Sequence, residues 1–244
     1  MIVDLAARVG LFPVLAAQAV YAKSRALALP EPPGERSGQV GDGPPLRILI
    51  LGDSSAAGVG VEMQDQALLG HVTRGLSPVA SVSFELIAKT GARTGDVLEW
   101  LPDVPDGPYD VVVTALGVND VTKAVPLRRW LHQQETLITR LRQDFGARRI
   151  VVSGLPPVSQ FPLLPQPLRW TVGRRAEMFD RALVGLVSSH DDCVYLKADM
   201  ELDHSNMSPD GFHPGPEVYA RWAEKVVAAV MADPPLLDPV EGRA

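Results

Sequence analysis

At 244 residues the chain is long enough for one α/β domain with an appendage, and 46% hydrophobic with 21% charged residues describes an ordinary globular protein, which excludes a disordered, collagen-like or multi-spanning membrane chain. A formal net charge of −6 without any Lys/Arg run argues against a nucleic-acid partner, whose phosphates need a basic surface. The single cysteine, Cys193, excludes an internal disulfide and any multi-cysteine metal site, and it fits a reducing cytoplasm without requiring one.

The first element is an uncharged, mostly apolar run from Val9 to Ala22, bounded by Arg8 and Lys23. It is too short to span a bilayer, so it reads as a helix packed on the domain or lying at a membrane surface. The alternative is a signal peptide with Ala26-Leu27-Ala28 as its cleavage site, against which stand Asp4, where positive charge is expected, and Pro13, which interrupts the run. The chain is therefore expected in the cytoplasm or at a membrane, with export as the alternative. From Pro30 to Pro45 the sequence PEPPGERSGQVGDGPP fits an extended exposed linker with no regular element. These boundaries divide the chain into an apolar segment (1–29), a linker (30–45), a main domain (46–232) and a C-terminal tail (233–244).

Beyond the linker, short aliphatic runs alternate with helical patterns. Five strands are expected: LRILIL from Leu46, VSFELIA from Val82, DVVVTAL from Asp110, RIVVSGL from Arg149 and CVYLKA from Cys193. A continuous apolar run such as Asp110 to Leu116 indicates burial on both faces, the mark of a parallel sheet covered by helices. Leu127 to Phe145, Arg169 to Ser188 and Tyr219 to Met231 carry apolar residues at helical spacing. The alternation predicts a doubly wound three-layer α/β/α sandwich with a five-stranded parallel sheet, in which ligands bind beyond the carboxyl ends of the strands.

Chemistry-bearing residues fall at those ends. Gly52-Asp53-Ser54-Ser55 follows the first strand and delivers a hydroxyl at a strand-to-helix turn, although a serine there also suits a helix N-cap. Near the end of the domain, Asp210-Gly211-Phe212-His213-Pro214 sets a carboxylate three residues before an imidazole, a spacing that lets Asp210 orient His213 locally. An aligned imidazole can take a serine proton and return it to a leaving group, which is what a serine nucleophile requires at neutral pH. Gly91, after the second strand, permits close approach of its backbone N–H to a ligand, and Asn119, after the third, offers a side-chain amide; an ordinary turn glycine and an Asx-turn asparagine are the plainer readings of each taken singly.

Taken in order, GDS at Ser54, GARTGDVL at Gly91, GVND at Asn119 and DGFHP at Asp210 and His213 resemble the SGNH-hydrolase (GDSL-type) family over nearly all of the chain from Leu46 onward. The resemblance implies a flavodoxin-like sandwich that hydrolyses carboxylic esters, sometimes thioesters, with no metal or cofactor. It makes Ser54 the nucleophile, His213 the base and Asp210 its partner, with the Ser54 N–H, the Gly91 N–H and the Asn119 amide as the oxyanion hole. Ser55 stands where the GDSL form commonly has leucine, and Gly95 competes with Gly91 if the loop register differs.

Other histidines are weaker candidates. His71 and His132 lie within helical patterns, His190 precedes a strand, and His204 is a rival base that lacks the Asp-x-x-His arrangement. Cys193 reads as a buried small apolar residue, and Asp53 and Asp120 as braces for their loops. Leu155 to Leu168 (LPPVSQFPLLPQPL) is apolar yet too proline-rich for a long helix, and suits either the wall of an acyl pocket or packing on the domain, with membrane contact as a third option. The expectation is an esterase for small-molecule esters of short to medium acyl chains. Carbohydrate acetylesterase, thioesterase and lysophospholipase are alternatives within the family, and a non-catalytic binding module on the same fold is the alternative outside it.

Overall fold

The computed structural model describes residues 2–25 and 27–232; the C-terminal tail expected at 233–244, and Ala26 of the alternative cleavage site, lie outside the described residues. In chain order the elements are helix α1 (Ile2–Arg25), strands β1 (Ser37–Val40) and β2 (Pro45–Gly52), helix α2 (Leu68–Leu76), strand β3 (Ser81–Ala88), helix α3 (Thr94–Trp100), strand β4 (Val111–Ala115), helices α4 (Val118–Thr122) and α5 (Leu127–Phe145), strand β5 (Arg149–Ser153), helix α6 (Leu168–Val187), strand β6 (Cys193–Leu196) and helix α7 (Pro216–Met231).

The five expected strands are β2 to β6, and they pair in parallel in the order β3-β2-β4-β5-β6. A sixth strand corrects the expected count: β1, inside the segment read as irregular, pairs antiparallel with the outer edge of β3, from Ser37 opposite Glu85 to Val40 opposite Val82. Its four residues are all exposed, so no hydrophobic pattern marks it. An open β3 edge with unpaired backbone groups is what recruits it.

Side-chain alternation divides the core into two layers. Leu49, Leu51, Val112, Ile150 and Val152 pack on one face with Trp130, Leu137 and Leu141 of α5 and Phe179 and Leu183 of α6. Ile48, Ile50, Val111, Val113 and Val151 pack on the other with Leu68, Val72 and Leu76 of α2 and Tyr219, Ala223 and Val226 of α7. All five residues of β4 are buried, as a sheet covered on both sides demands.

Consecutive strands lie on opposite sides of β2, with β3 to one side and β4 to the other. This is the switch point of a flavodoxin-like sheet, where loops leaving adjacent strands diverge and open a crevice. Ser54 follows β2 and Asn119 follows β4, so both stand at its mouth. Helix α1 runs through Pro13 without ending there. It is tied to the body where Gln18 Nε2 donates to the Gln166 carbonyl at 2.5 Å and Gln18 Oε1 accepts from the Leu168 N–H at 2.9 Å. Among the described residues no helix is long and apolar enough to cross a membrane.

Candidate active site

The segment after β2 is a run of turns, with the next α-helix starting only at Leu68. Ser54 does not cap it. Asp53 instead closes the turn around it: its Oδ1 accepts the Ser55 N–H at 2.9 Å and the Ser55 hydroxyl at 2.7 Å. The Ser54 hydroxyl is left to point elsewhere, and it lies 2.9 Å from Nε2 of His213 across 159 residues of chain.

His213 is presented by a loop closed on itself before α7. The Ser208 N–H donates to the His213 carbonyl at 2.9 Å, and the Gly215 N–H to the Asn206 carbonyl at 3.0 Å. Asp210 Oδ1 accepts three donors, the Ser208 hydroxyl at 2.6 Å and the N–H groups of Phe212 and His213 at 2.9 Å each. Its Oδ2 is 2.5 Å from His213 Nδ1. A carboxylate only accepts, so Nδ1 carries the proton and the Nε2 lone pair faces the Ser54 hydroxyl. Burial alone would raise the Asp210 carboxyl, but the hydrogen bonds from His213 and Ser208 hold it well below the usual carboxylate range. It therefore stays charged beside the ring. Tyr219 adds a brace that the sequence did not disclose, its hydroxyl donating to the Val59 carbonyl at 2.8 Å and fastening α7 to the Ser54 turn.

Asn119 is the second residue of α4, and the N-cap before it, Gly117, has φ +129 with Leu155 and Trp130 side chains 3.2 Å from where a Cβ would stand. Only glycine fits that backbone. The Asn119 amide donates to the Ala92 carbonyl at 3.0 Å and, at the longer distance of 3.3 Å, to Asp53 Oδ2. It thus binds together the loops after β2, β3 and β4, instead of forming a local Asx turn. Gly91 has φ +81, an added Cβ would meet only Lys123 Nζ, at 3.8 Å, and its carbonyl accepts from the same Lys123 ammonium at 2.6 Å. Gly95 lies in the first turn of α3, where an added Cβ would meet Gln133 at 2.6 Å. It packs against α5.

A buried polar cluster backs these loops. Asp120 Oδ2 accepts the N–H and hydroxyl of Thr94 at 3.1 Å each, and the Thr94 hydroxyl in turn accepts from Trp130 Nε1 and Gln134 Nε2, both at 3.1 Å. Burial pushes the carboxyls of both Asp120 and Asp53 up. Thr94, Ser208 and Tyr219 were all missed by sequence reading. Ser208 alone left a signal, as a hydroxyl two residues before an aspartate in a loop.

His204 is exposed in a turn, and the Ser54 hydroxyl is bonded to His213, not to it. His71 lies beside Arg74, with Nδ1 3.3 Å from the guanidinium, and His190 lies 3.2 Å from Glu135 on the far side of the sheet ends. Burial pushes the Cys193 thiol up to about 12, so it has no thiolate to offer.

From Ser54 a cleft of about 900 Å3, its open mouth included, runs past Asn119 and beneath the ends of β5 and β6. Leu116, Leu155, Phe161, Met200, Leu202 and Trp222 are among its walls. Phe161 stands edge-on to Phe212 at 5.1 Å, and Phe212 edge-on to the His213 ring at 5.3 Å, so the apolar loop expected at 155–168 both lines the cleft and supports the imidazole.

The sequence profile of the GDSL-like Lipase/Acylhydrolase family matches residues 50–221. No curated protein gives a significant match. Among solved structures, a lipase from a goat rumen metagenome is similar at 18% identity with a TM-score of 0.60, covering 75% of this chain and 97% of its own. TesA is similar at 21% identity and TM-score 0.61, covering 78% and 99%. A psychrotrophic esterase, EstA from Pseudoalteromonas sp., is similar at 18% identity and TM-score 0.57, covering 74% and 93%. At these identities the structural likeness speaks for the fold.

Proposed function

Because this chain belongs to the GDSL-like lipase/acylhydrolase family and is an esterase/lipase-type hydrolase, we propose that it cleaves carboxylic esters of short to medium acyl chains through an acyl-serine intermediate on Ser54. The observation that carries this reading is the relay from hydroxyl to imidazole to carboxylate, with contacts of 2.9 Å and 2.5 Å. Ser54 Oγ attacks the ester carbonyl carbon as its proton passes to His213 Nε2. The tetrahedral oxyanion collapses, the carbon–oxygen bond to the alcohol breaks, and the alcohol leaves with the proton from Nε2. Water then attacks the acyl-serine, gives its proton to the same nitrogen, and the carboxylic acid departs as Ser54 regains its hydroxyl proton.

The Ser54 N–H, the Gly91 N–H and the Asn119 amide serve as oxyanion donors. The 3.3 Å contact from Asn119 to Asp53 is the weaker of its two and is the one an oxyanion replaces. No cofactor or metal enters this sequence of steps. The apolar walls of the cleft, Leu116, Leu155, Phe161, Met200 and Leu202, support acyl chains longer than acetyl, since such sites bury most of a ligand against hydrophobic side chains.

The test is hydrolysis of p-nitrophenyl esters from acetate to decanoate, with acetylated sugar and acyl-CoA alongside. Ser54→Ala should abolish turnover and labelling by a fluorophosphonate probe. Full activity or undiminished labelling in that variant removes Ser54 as nucleophile, and a rate that peaks on acetylated sugar removes the chain-length reading.

A further inference from the structure

Among its described side chains, helix α1 touches the body along one stripe. Leu11, Leu15 and Gln18 are half-buried and Ala22 is buried, a repeat of four, three and four residues that keeps them on one side. Every other described side chain between Pro13 and Tyr21 is exposed, among them Val14 at 45%, Val20 at 70% and Tyr21 at 52%. The fourteen residues from Val9 to Ala22 contain no charge at all. A surface helix on a soluble domain ordinarily turns a charged face to water, and a helix uncharged all round has something apolar to meet on its outer side. The uncharged run spans only about 21 Å at 1.5 Å per residue, short of the ~30 Å hydrocarbon core, a length suited to lying along a bilayer and not to crossing one.

Charge selects the occupant. Residues 1–29 carry Arg8, Lys23 and Arg25 against Asp4, a balance of +2, while the whole chain carries −6 and the remaining residues therefore −8. A second copy seated through the same face would set its basic helix against this one, like charge on like, whereas an anionic lipid surface attracts that helix. Aromatic rings with cationic neighbours stand at the same place: the Arg25 guanidinium lies 5.5 Å from the Tyr21 ring centre. Two residues beyond the Gln18 contact, Trp170 is 41% exposed with Arg174 5.9 Å from its ring centre. Amphipathic rings beside basic side chains suit the headgroup layer.

We propose that α1 and the start of α6 form a docking face for an anionic phospholipid surface. Gln18 is bonded to Gln166 and Leu168 at the end of the loop whose Leu155 and Phe161 line the cleft. Docking therefore sets the cleft wall next to the lipid. The proposal stands apart from the hydrolytic reading, since a binding module would dock in the same way.

The experiment is flotation of the full-length protein with phosphatidylcholine vesicles, with and without phosphatidylglycerol. The protein should float with the anionic vesicles and partition about tenfold less onto phosphatidylcholine alone, a difference that rising salt erases. Val14→Glu with Val20→Glu should cut anionic binding at least about tenfold while hydrolysis of soluble p-nitrophenyl butyrate is unchanged, which shows that the fold is intact. Absence of flotation with either vesicle, or flotation indifferent to the two glutamates, overturns the proposal. So does a dimer seen by light scattering that the same substitutions dissolve, because a second copy would then be the occupant.

Discussion

Replacing Asp210 by Asn tests the relay with the least disturbance to the loop that carries it. The amide oxygen can keep the three donors now on Oδ1, from Ser208, Phe212 and His213, so the loop retains its hydrogen bonds. The amide nitrogen, however, takes the place of Oδ2 and donates toward His213 Nδ1. The ring must then accept there and carry its proton on Nε2, where it meets the Ser54 hydroxyl with a hydrogen in place of a lone pair. Two losses follow. The Asp210 and His213 side chains are only 2% and 16% exposed, so the carboxylate meets the imidazolium with little screening, and at an effective dielectric of 20 a pair of unit charges about 4 Å apart interacts by about 4 kcal/mol. That corresponds to about three decades in rate. Restoring the productive tautomer costs about one decade more, for a total fall in kcat of about 10⁴-fold. The assay is kcat on p-nitrophenyl butyrate with the melting temperature measured alongside. Asp210→Asn combined with His213→Ala should be no slower than His213→Ala alone, since the carboxylate acts only through the ring. A single Asp210→Asn variant that keeps kcat within about tenfold of wild type refutes this account of the site.

Asn119→Ala should lower kcat on the same ester by about 10²- to 10³-fold with little change in KM, the signature of a donor used in the transition state. Asp210 also couples stability to pH. Its folded pKa is depressed, so the stability its charge supplies is complete above the unfolded value near ~3.9 and drains away as pH falls toward the folded one. Melting curves of wild type and Asp210→Asn should thus differ most above pH 5 and converge in acid. Glu31→Ala removes the acceptor of the Thr90 N–H and hydroxyl, at 2.7 Å and 2.8 Å, and should cost about three- to tenfold in kcat, one hydrogen bond's worth of order next to Gly91. Glu31→Gln, which keeps an acceptor, should recover most of it. Cys193 should resist iodoacetamide at pH 8 in the folded protein, as burial keeps its thiol protonated, and rapid alkylation there would contradict the packing of β6.

What sequence reading could see was set by range. Strands β2 to β6 announce themselves because a sheet covered on both faces needs unbroken aliphatic runs, and Ile48 to Leu51 and Val111 to Val113 supply them. The Asp210 and His213 pair is legible because its geometry is local, three residues within one loop. The approach of His213 to Ser54 is not local, and only the order of blocks along the chain pointed to it. Nothing in the sequence places the Asn119 amide on the Ala92 carbonyl, or Thr94 under Asp120, because each partner leaves a different strand and the spacing between them carries no period. Asp53 illustrates the same limit. Its place beside Ser54 is plain from the sequence, but that it holds both the Ser55 turn and the Asn119 amide depends on a strand order that no local pattern encodes.

The segment from Pro30 to Pro45 shows why composition alone misleads about a scaffold. Proline, glycine and charge read as a tether, yet Glu31 receives the Thr90 N–H on one side and the Arg36 guanidinium on the other. Arg36 in turn donates to the Ala88 carbonyl at 3.1 Å. Residues 31 to 40 therefore run along the outside of β3 and grip the point where it opens into the Gly91 loop. Gly91 itself, with φ +81 and no side chain, cannot fix its own peptide by packing. Its N–H must be aimed by what surrounds it, with Glu31 holding Thr90 from outside the sheet and Lys123 holding the Gly91 carbonyl from α4. The Gly91 N–H proposed as an oxyanion donor is thus only as well placed as those two long side chains, one of which belongs to the stretch read as a linker.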